Sequence, residues 1–353
     1  MLAADDKMVM NSLSVSIIIP VFNVEPYIEA CLQSVMRQTY EGPIECIIVD
    51  DGSTDKSITI AEGLISKYQG PIVFKVLHHD DTRGASAARN TGMDTATGDY
   101  FYFLDSDDEL TRDCLEKLTE PLKKDRYDVV VGNFDVVLGD GILFYQGQNL
   151  LIPDNTILYG EEILNAYKSK MTPITSWNKL CSADVVRRIG CRFQEGIMME
   201  DVLWEFQIAC CIHTMYCVNQ NTYIYKRRTD SVMTSSSWEL KAYCYYVIFV
   251  EMWKFAHDKG VDYVLVHDIL QENYHLALKC YRNVRKEFVR TYRQMRSYYS
   301  PSLQMIIKGN RCRFKRCIRD IHHILPLFVA PYWCYYINYH LLPILPIKKN
   351  NNG

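Results

Sequence analysis

Two acidic clusters, each at the end of a strand-like run, are the residues with the clearest potential for chemistry. The run IECIIVD (44–50) continues into DGSTD (51–55), and the aromatic run YFYFLD (100–105) continues into SDD (106–108). Carboxylates gathered at the carboxyl edge of a sheet repel one another unless a cation or hydrogen-bond donors offset their charge. The two clusters therefore predict a site for a nucleotide diphosphate and its metal ion.

The first cluster suits the recognition of a nucleoside. Gly52 allows a tight turn with exposed backbone amides, and an aspartate at the strand end, Asp50 or Asp51, can accept hydrogen bonds from a base N–H or from ribose hydroxyls. The same residues are typical of an ordinary turn with an Asx or serine cap. This motif alone does not decide between the two interpretations.

The second cluster suits a hard divalent cation. Asp105 and Asp107 stand one residue apart, and two carboxylates in a bent loop can both reach Mg²⁺ or Mn²⁺, which keeps open positions for phosphate oxygens. The alternative is that Asp107 or Asp108 only caps a helix that begins near Leu110.

The segment RGASAARN (83–90) lies between the clusters. Its small residues, Ser86 among them, let the start of a helix approach a ligand, while Arg83, Arg89 and Asn90 add donors near a diphosphate. Small residues also suit close packing of a helix on a sheet, and both interpretations can hold together.

The elements that must position these residues alternate between strand and helix. Short β-branched or aromatic runs predict strands, and apolar residues at helical spacing predict helices between them. The predicted strands are 15–20, 44–49, 72–77, 99–104 and 128–132, and the predicted helices begin near Pro26, Ser53, Gly84 and Leu110. This alternation predicts an α/β fold: an open, mostly parallel sheet with helices on both faces and ligands at the carboxyl ends of its strands.

The second half of the chain has a different character. Beyond about Gly139 the alternation fades, and from Trp238 to about Arg319 the sequence predicts helices, with one apolar and one basic stripe through residues 277–295. Residues 279–319 hold 13 Lys and Arg against one acid, a charge of +12, so with a net charge of −3 the remainder carries −15. The front of the chain is acidic and the back is basic.

Four motifs in this order and at this spacing resemble the family 2 glycosyltransferases: VSIIIPVFN (15–23), VDDGSTD (49–55), GASAARN (84–90) and LDSDD (104–108). The match extends through WNKL (177–180), EGIMMEDVLWEF (195–206) and YKRRTDSV (225–232), and so covers roughly residues 14–235. Each motif alone is weak, but the joint match is specific.

The resemblance implies a GT-A, Rossmann-like nucleotide-sugar-binding fold. The catalytic domain would span 1–237, with a nucleotide-sugar half at about 14–138 and an acceptor half at about 139–237, and 238–353 would form a helical extension. The implied activity is metal-dependent, inverting transfer of a single sugar to a glycan or lipid-linked acceptor in surface polysaccharide biosynthesis, with a UDP-sugar as the favoured donor. The Q-x-x-R-W signature of processive polysaccharide synthases does not occur, which favours single-sugar transfer over polymerisation.

The resemblance also assigns roles to individual residues. The implied nucleoside pocket consists of Pro20, Phe22, Asp50 and Asp51, with Asp50 the better candidate for a uracil contact. The implied Mn²⁺ or Mg²⁺ ligands are Asp105 and Asp107, and the implied diphosphate contacts are Arg83, Ser86, Arg89, Asn90, Ser106 and, after a loop closes, Arg228. The implied general base is Asp201 with Glu200 second, although the pair also suits a helix N-terminus. Trp177 suits a sugar ring, although tryptophan is more often part of a core.

Two other classes of protein remain as alternatives. A sugar nucleotidyltransferase would carry a glycine-rich loop with Arg and Lys after the first strand, whereas this chain has PVFNVEPY (20–27) there. A sugar-nucleotide-binding protein without turnover would keep the fold but release no UDP.

Composition bears on the compartment. The 13 cysteines are odd in number and form no metal-type C-x-x-C pair, which favours a reducing cytosol, and the acidic N-terminal segment does not resemble a secretion signal.

The C-terminal segment bears on membrane contact. Residues 321–347 hold no Asp, Glu, Lys or Arg but four prolines, a pattern that disfavours a membrane span, and their Trp and Tyr residues suit an interface. We expect a cytoplasmic protein with peripheral membrane contact through 279–347. The alternative is packing on the catalytic domain or a second copy; nucleic acid is not favoured, because no binding motif accompanies the basic residues.

Overall fold

The computed structural model of the chain describes residues 13–138, 143–145, 149–227, 236–281, 285–310, 314–325, 330–331 and 334. The chain divides into two compact units. Unit 1 comprises Met1–Gly196 and Glu200–Thr229, and unit 2 comprises Ile197–Met199 and Asp230–Gly353. Each unit is described by itself.

A single mixed sheet of ten strands, counted within the described residues, is the centre of unit 1. The strands are β1 (Val15–Val21), β2 (Ile44–Asp50), β3 (Val73–His78), β4 (Tyr100–Phe103), β5 (Glu109–Leu110), β6 (Val129–Leu138), β7 (Leu143–Tyr145), β8 (Thr156–Tyr159), β9 (Lys179–Ser182) and β10 (Thr214–Arg227). Their order is β3-β2-β1-β4-β9-β6-β10-β5, with β7 beside β6 and β8 beside β10. The first four strands in this order are parallel, β9 is antiparallel to both neighbours, and β6 and β10 are parallel.

Seven α-helices connect the described strands of unit 1. They are α1 (Ile28–Met36), α2 (Ser57–Ile65), α3 (Ala85–Thr95), α4 (Cys114–Thr119), α5 (Glu161–Lys168), α6 (Ala183–Ile189) and α7 (Glu200–Cys211). A short 3-10 helix, Glu120–Lys123, follows α4. The predicted α/β fold with a mostly parallel sheet is confirmed.

Helices cover both faces of the sheet. Leu32 of α1 belongs to the same apolar cluster as Ile17 and Ile19 of β1. α3 lies against the other face, where a Cβ added at its Gly92 would stand 2.3 Å from Ile18 Cγ2. Because successive side chains of a strand point to opposite faces, a central strand covered on both faces reads as the unbroken apolar run seen in β1.

One predicted helix begins later than the sequence indicates. Leu110 belongs to β5, which pairs with β10, and α4 begins at Cys114. The helix-cap alternative for Asp107 and Asp108 is therefore wrong, since several residues separate both from the helix.

Unit 2 is helical throughout its described residues. It contains α8 (Trp238–Asp258), α9 (Tyr263–Cys280), α10 (Arg285–Tyr298), α11 (Leu303–Gly309), α12 (Phe314–Asp320) and a 3-10 helix, Ile321–Ile324. Serine and aspartate side chains cap three of these helices, as at Ser237, Asp262 and Ser302.

The apolar stripe predicted for one long helix lies on two helices. Ala277 of α9 and Phe288, Tyr292 and Met295 of α10 are all buried, so the stripe belongs to the core of unit 2. Val284 lies outside the described residues, as do most residues of the predicted aromatic interface in 321–347. Among the helices described, none combines the length and the apolar character needed to cross a membrane.

Candidate active site

The two acidic clusters lie at the same edge of the sheet. β1 stands between β2 and β4 and is parallel to both, so Asp50 and the loop after β4 leave the sheet side by side. The amide of Asp51 donates to Val21 O at 2.8 Å, and the amide of Leu104 donates to Ile18 O at 3.1 Å. The predicted convergence of the clusters is present.

Asp50 shapes the turn after β2. Its Oδ1 accepts a hydrogen bond from the Ser53 amide at 2.9 Å, and its Oδ2 lies 3.1 Å from His78 Nδ1. Gly52, at φ 78°, occupies the left-handed region that glycine adopts without strain. The Asx-type turn therefore exists, and it holds the Asp50 carboxylate at the strand end.

Asp51 is turned towards the protein. Its carboxylate accepts hydrogen bonds from the amides of Arg83, at 2.9 Å, and Gly84, at 2.6 Å, and lies 2.7 Å from His79 Nδ1. The side chain is buried, and these contacts fix the loop from which α3 begins. Sequence reasoning assigned Asp51 to the nucleoside; in the structure it positions the start of α3.

A buried arginine connects the second cluster to α7. The Arg89 guanidinium donates to Asp105 Oδ1 at 2.8 Å and to Glu200 Oε1 at 2.6 Å. Burial opposes its charge, but Asp105, Glu200 and Asp201 together raise the pKa of Arg89 above its usual value. Both terminal nitrogens are thus engaged by carboxylates, which differs from the predicted contact with a diphosphate.

Two further residues of the RGASAARN segment also contact protein. Asn90 donates from Nδ2 to Phe193 O at 2.9 Å and accepts from Phe193 N at 3.0 Å, so its amide is not turned to a ligand as predicted. Arg83 is half-exposed and forms an ion pair with Glu195 at 3.1 Å. Ser86 is buried at the start of α3.

The aspartates of the acidic loop after β4 differ in burial and in their contacts. Asp108 is buried and accepts hydrogen bonds from Tyr223 Oη at 2.8 Å and Lys226 N at 2.7 Å, which anchor the loop to β10. Burial, with Asp107 and Asp105 close by, raises the pKa of Asp108 well above its usual value. Asp105 and Asp107 are only partly buried.

These aspartates fit a divalent metal. Their carboxylate oxygens are the ligand atoms that Mg²⁺ and Mn²⁺ prefer. Besides burial, the negative charges of Asp107 and Asp105 raise the pKa of Asp108, and a divalent cation would offset this repulsion. Ser106, predicted nearby, is buried.

Asp201 lies in the first turn of α7, after Met199 with its left-handed φ of 62°. Its Oδ1 is buried with no well-formed hydrogen bond among the described residues, as is the neighbouring Ser176 Oγ. Burial raises the pKa of Asp201 to about 6; Arg89 counteracts this shift, whereas Glu200 and Asp105 add to it. Glu200, by contrast, is held by Arg89, and both acids do occupy a helix N-terminus, as the alternative interpretation expects.

A buried ion pair near Asp201 was not predicted from the sequence. Lys179 Nζ lies 3.0 Å from Glu205 Oε1 and also donates to the carbonyls of Pro173 and Thr175. Burial raises the pKa of Glu205 to about 7, against the effect of Lys179. The signal available in the sequence was a lysine in WNKL and a second acid in EDVLWEF, each inside an otherwise apolar motif.

Trp177 belongs to the core. Its ring stacks on Tyr223 with centroids 4.4 Å apart, lies nearly parallel to Tyr225 and meets Phe134 edge-on. Only 6% of the residue is exposed, in agreement with the alternative of a core tryptophan, and the sugar contact stays a prediction.

The other predicted pocket residues differ in exposure. Pro20 is buried in β1, whereas Phe22 is 46% exposed beside the strand end. Arg228 lies outside the described residues.

Comparisons with known proteins agree with this geometry. Residues 16–190 match the family described as Glycosyl transferase family 2. The chain is 28% identical to the glycosyltransferase GlyG of Streptococcus pneumoniae serotype 4, over 62% of this chain and 72% of GlyG. It is 34% identical to the poly(ribitol-phosphate) beta-N-acetylglucosaminyltransferase TarP of Staphylococcus aureus, over 44% of this chain and 49% of TarP. The match covers 31%, 62% and 48% of the lengths of three further curated glycosyltransferases, less than two thirds in each case.

A solved structure has the same fold over most of the chain. The crystal structure of S. aureus TarS in complex with UDP-GlcNAc aligns with a TM-score of 0.61 at 17% identity, over 92% of this chain and 89% of that one. Identity at this level supports the fold alone. The family match shows that the chain belongs to glycosyl transferase family 2, and the structural likeness shows that it has the GT-A fold.

Proposed function

We propose that this glycosyltransferase moves a single sugar, with inversion and with a divalent metal, from a UDP-sugar to a glycan or lipid-linked glycan acceptor in surface polysaccharide biosynthesis. One observation carries the proposal. Arg89 joins Asp105, a proposed metal ligand, to Glu200, the neighbour of the proposed base Asp201. The donor end and the acceptor end of the reaction thereby meet in one charged cluster.

The donor lies along the edge of the sheet in this proposal. Asp50, at the end of β2, accepts a hydrogen bond from the nucleobase, and the exposed Phe22 lies at the neighbouring strand end. Asp105 and Asp107 hold Mn²⁺ or Mg²⁺, which when bound neutralises charge on the departing diphosphate. Arg83, half-exposed, is free to rotate from Glu195 to phosphate oxygens, since a surface ion pair is weak.

Asp201 acts on the acceptor. An inverting transfer needs one base to take the proton of the attacking hydroxyl, and a pKa of about 6 leaves Asp201 mostly ionised at neutral pH yet more basic than an ordinary aspartate. Its carboxylate, whose Oδ1 is buried near Ser176, is the group that would accept the acceptor's proton. Glu200 stays bound to Arg89 and keeps the start of α7 in place.

The comparisons support the donor and acceptor classes. TarS, a structural neighbour, was crystallised in complex with UDP-GlcNAc. TarP is named as a beta-N-acetylglucosaminyltransferase of poly(ribitol-phosphate), which is a polymer. Both favour a UDP-sugar donor and a polymeric or polymer-precursor acceptor for this chain.

The test measures binding and turnover separately. UDP-sugars that raise the unfolding temperature in Mn²⁺ identify the donor, and UDP release with acceptors then measures transfer. We expect Asp201→Asn to reduce transfer at least 100-fold while UDP affinity stays within about twofold, and Asp125→Asn, at an exposed site, to change neither. Binding without UDP release by the unmodified chain would instead favour a sugar-binding protein without turnover.

Membrane contact is proposed through the basic face of α10. Its apolar stripe is buried, but Lys286, Arg290 and Arg293 are exposed, so contact with anionic headgroups would be electrostatic. Flotation with phosphatidylserine vesicles should weaken in high salt and on replacing all three by Gln. The control variant has Gln at three exposed lysines of unit 1, Lys67, Lys123 and Lys124, and should float as well as the unmodified chain. Equal flotation of the α10 variant and this control would contradict the proposal.

A further inference from the structure

Three side chains with metal-binding groups converge in unit 2. They are His275 of α9, His322 of the 3-10 helix and Cys334, and one ring nitrogen of each histidine and the cysteine Sγ all lie within 4.8 Å of one another. Tetrahedral Zn²⁺ with its usual Zn–N and Zn–S bonds separates its ligand atoms by about 3.3–3.8 Å. Separations of at most 4.8 Å would therefore need to contract by up to about 1.5 Å on binding.

His322 offers a ligand atom that nothing else uses. Its ring is fully buried, Nδ1 lies 2.8 Å from Tyr292 Oη, and Nε2 has no partner among the described residues. When Tyr292 Oη donates its proton to His322 O, at 3.3 Å, Nδ1–H donates to the tyrosine oxygen and Nε2 keeps its lone pair. Zinc binding at Nε2 requires this tautomer. A buried acceptor without a partner is costly unless an ion or a donor occupies it.

His275 is held in the manner of a metal-bound histidine. Its Nε2 lies 3.1 Å from Asp320 Oδ1, and a carboxylate on one ring nitrogen is the usual partner of a histidine whose other nitrogen binds a metal. A metal bound at the other ring nitrogen requires the neutral imidazole.

The ligand set distinguishes this group from the acidic loop of unit 1. Two imidazoles and a thiol suit Zn²⁺, whereas Mg²⁺ and Mn²⁺ prefer carboxylate oxygens. Cys334 is buried, and a thiolate there together with Asp320 would offset the charge of the ion beside Arg319. Three ligands leave the fourth position of a tetrahedral ion for water.

We propose that His275, His322 and Cys334 bind a Zn²⁺ ion that links α9 and the 3-10 helix to Cys334. Because binding draws on residues of a folded unit, its free energy also stabilises that unit. The proposal is independent of the sugar donor, the acceptor and the base.

The first test uses the unmodified full chain without a polyhistidine tag. Elemental analysis after purification should find about one zinc per chain, as one such site requires. Replacing zinc by Co²⁺ should produce a thiolate-to-cobalt charge-transfer band in the near ultraviolet, a signal that carboxylate ligands do not give. Absence of that band in protein saturated with Co²⁺ would overturn the proposal, and this result does not depend on how any variant folds.

Variants then locate the ligands. We expect Cys334→Ser to remove the cobalt band and His322→Gln to weaken zinc binding at least tenfold, while Tyr292→Phe weakens it about tenfold through loss of ring orientation. Matched controls in the same unit are Cys317→Ser and His257→Gln, the latter at an exposed histidine, and both should retain the band. A band that persists in Cys334→Ser, or that is lost in the double variant Asp105→Asn/Asp107→Asn, contradicts this assignment.

Discussion

At the scale of single residues, a buried cation organises the site. Arg89 is almost fully buried and lies between Asp105 and Glu200, with Asp201 adding to the same negative field. Its planar guanidinium presents its donors in a fixed geometry and holds two carboxylates at once. The arginine therefore sets the distance between the proposed metal ligand and the start of α7.

Removing this cation should cost stability as well as activity. Arg89→Met leaves buried carboxylates without a partner, and we expect a loss of about 3–5 kcal/mol in the free energy of unfolding. Mn²⁺ should restore part of the loss, because it offsets charge at Asp105 and Asp107. Urea unfolding with and without Mn²⁺ measures both effects.

The matched control is Arg83→Met, which removes a half-exposed arginine paired with Glu195 and should cost less than about 1 kcal/mol. Equal losses in the two variants would contradict the organising role of Arg89.

The second residue-scale prediction concerns pH. Burial raises the pKa of Asp201 to about 6, and a base must be deprotonated, so transfer should fall as pH drops through about 6. The folded-state pKa lies above the unfolded one, so ionised Asp201 opposes folding above pH 6, and this cost disappears as pH falls through 6 towards 4. Rate profiles at saturating donor and acceptor check the first statement; an acid limb near pH 4 would contradict it.

At the scale of elements, α7 couples two acids. Asp201 and Glu205 are four residues apart and so lie on one face of the helix, and ionised Asp201 adds to the effect of burial, which raises the pKa of Glu205 to about 7. Glu205 is therefore mostly protonated where Asp201 titrates, near 6, and Glu205→Gln should leave the acid limb of the rate profile in place. A limb that moves to lower pH in this variant would show instead that Glu205 is ionised while Asp201 titrates. Glu161→Gln, at an exposed acid of α5, is the control and should leave the limb unchanged.

A second element-scale prediction tests the contact of α3 with β1. Gly92→Ala would place a Cβ 2.3 Å from Ile18 Cγ2, and overpacking of this kind should cost about 1–3 kcal/mol. Gly63→Ala in α2 meets no atom within 4 Å and should stabilise the chain by about 0.5–1 kcal/mol. Denaturant unfolding of the two variants measures the change in the free energy of unfolding, which should be negative for Gly92→Ala and positive for Gly63→Ala. Stabilisation by Gly92→Ala would contradict the close approach of α3 to β1.

These elements also show what the sequence could and could not predict. The strands β1, β2 and β4 were predicted because strands buried on both faces read as continuous apolar runs. Leu110 was misassigned to a helix because a two-residue strand has no pattern of its own, and its partner in β10 is Tyr223. The partners of Asp51 and Arg89 could not be inferred either, since the Glu200 that holds Arg89 lies 111 positions further along the chain.

At the scale of the whole molecule, the two units differ in charge and in ligand chemistry. The acidic part of the chain carries −15 and the segment 279–319 carries +12. Unit 1 offers carboxylate oxygens to a hard cation, whereas unit 2 offers nitrogen and sulfur. Two metals of different type therefore suit one chain without competing for the same ligands.

Separate metals should give separable stabilisation. Starting from protein treated with EDTA, Mn²⁺ with UDP should stabilise unit 1 and Zn²⁺ alone should stabilise unit 2, each by about 2.7 kcal/mol at 100 times its dissociation constant. Calorimetry of the full chain reports both, because two compact units need not unfold in one transition. Asp105→Asn/Asp107→Asn should abolish only the Mn²⁺ effect and Cys334→Ser only the Zn²⁺ effect. If one variant removed both effects, a single shared site would replace the two proposed here.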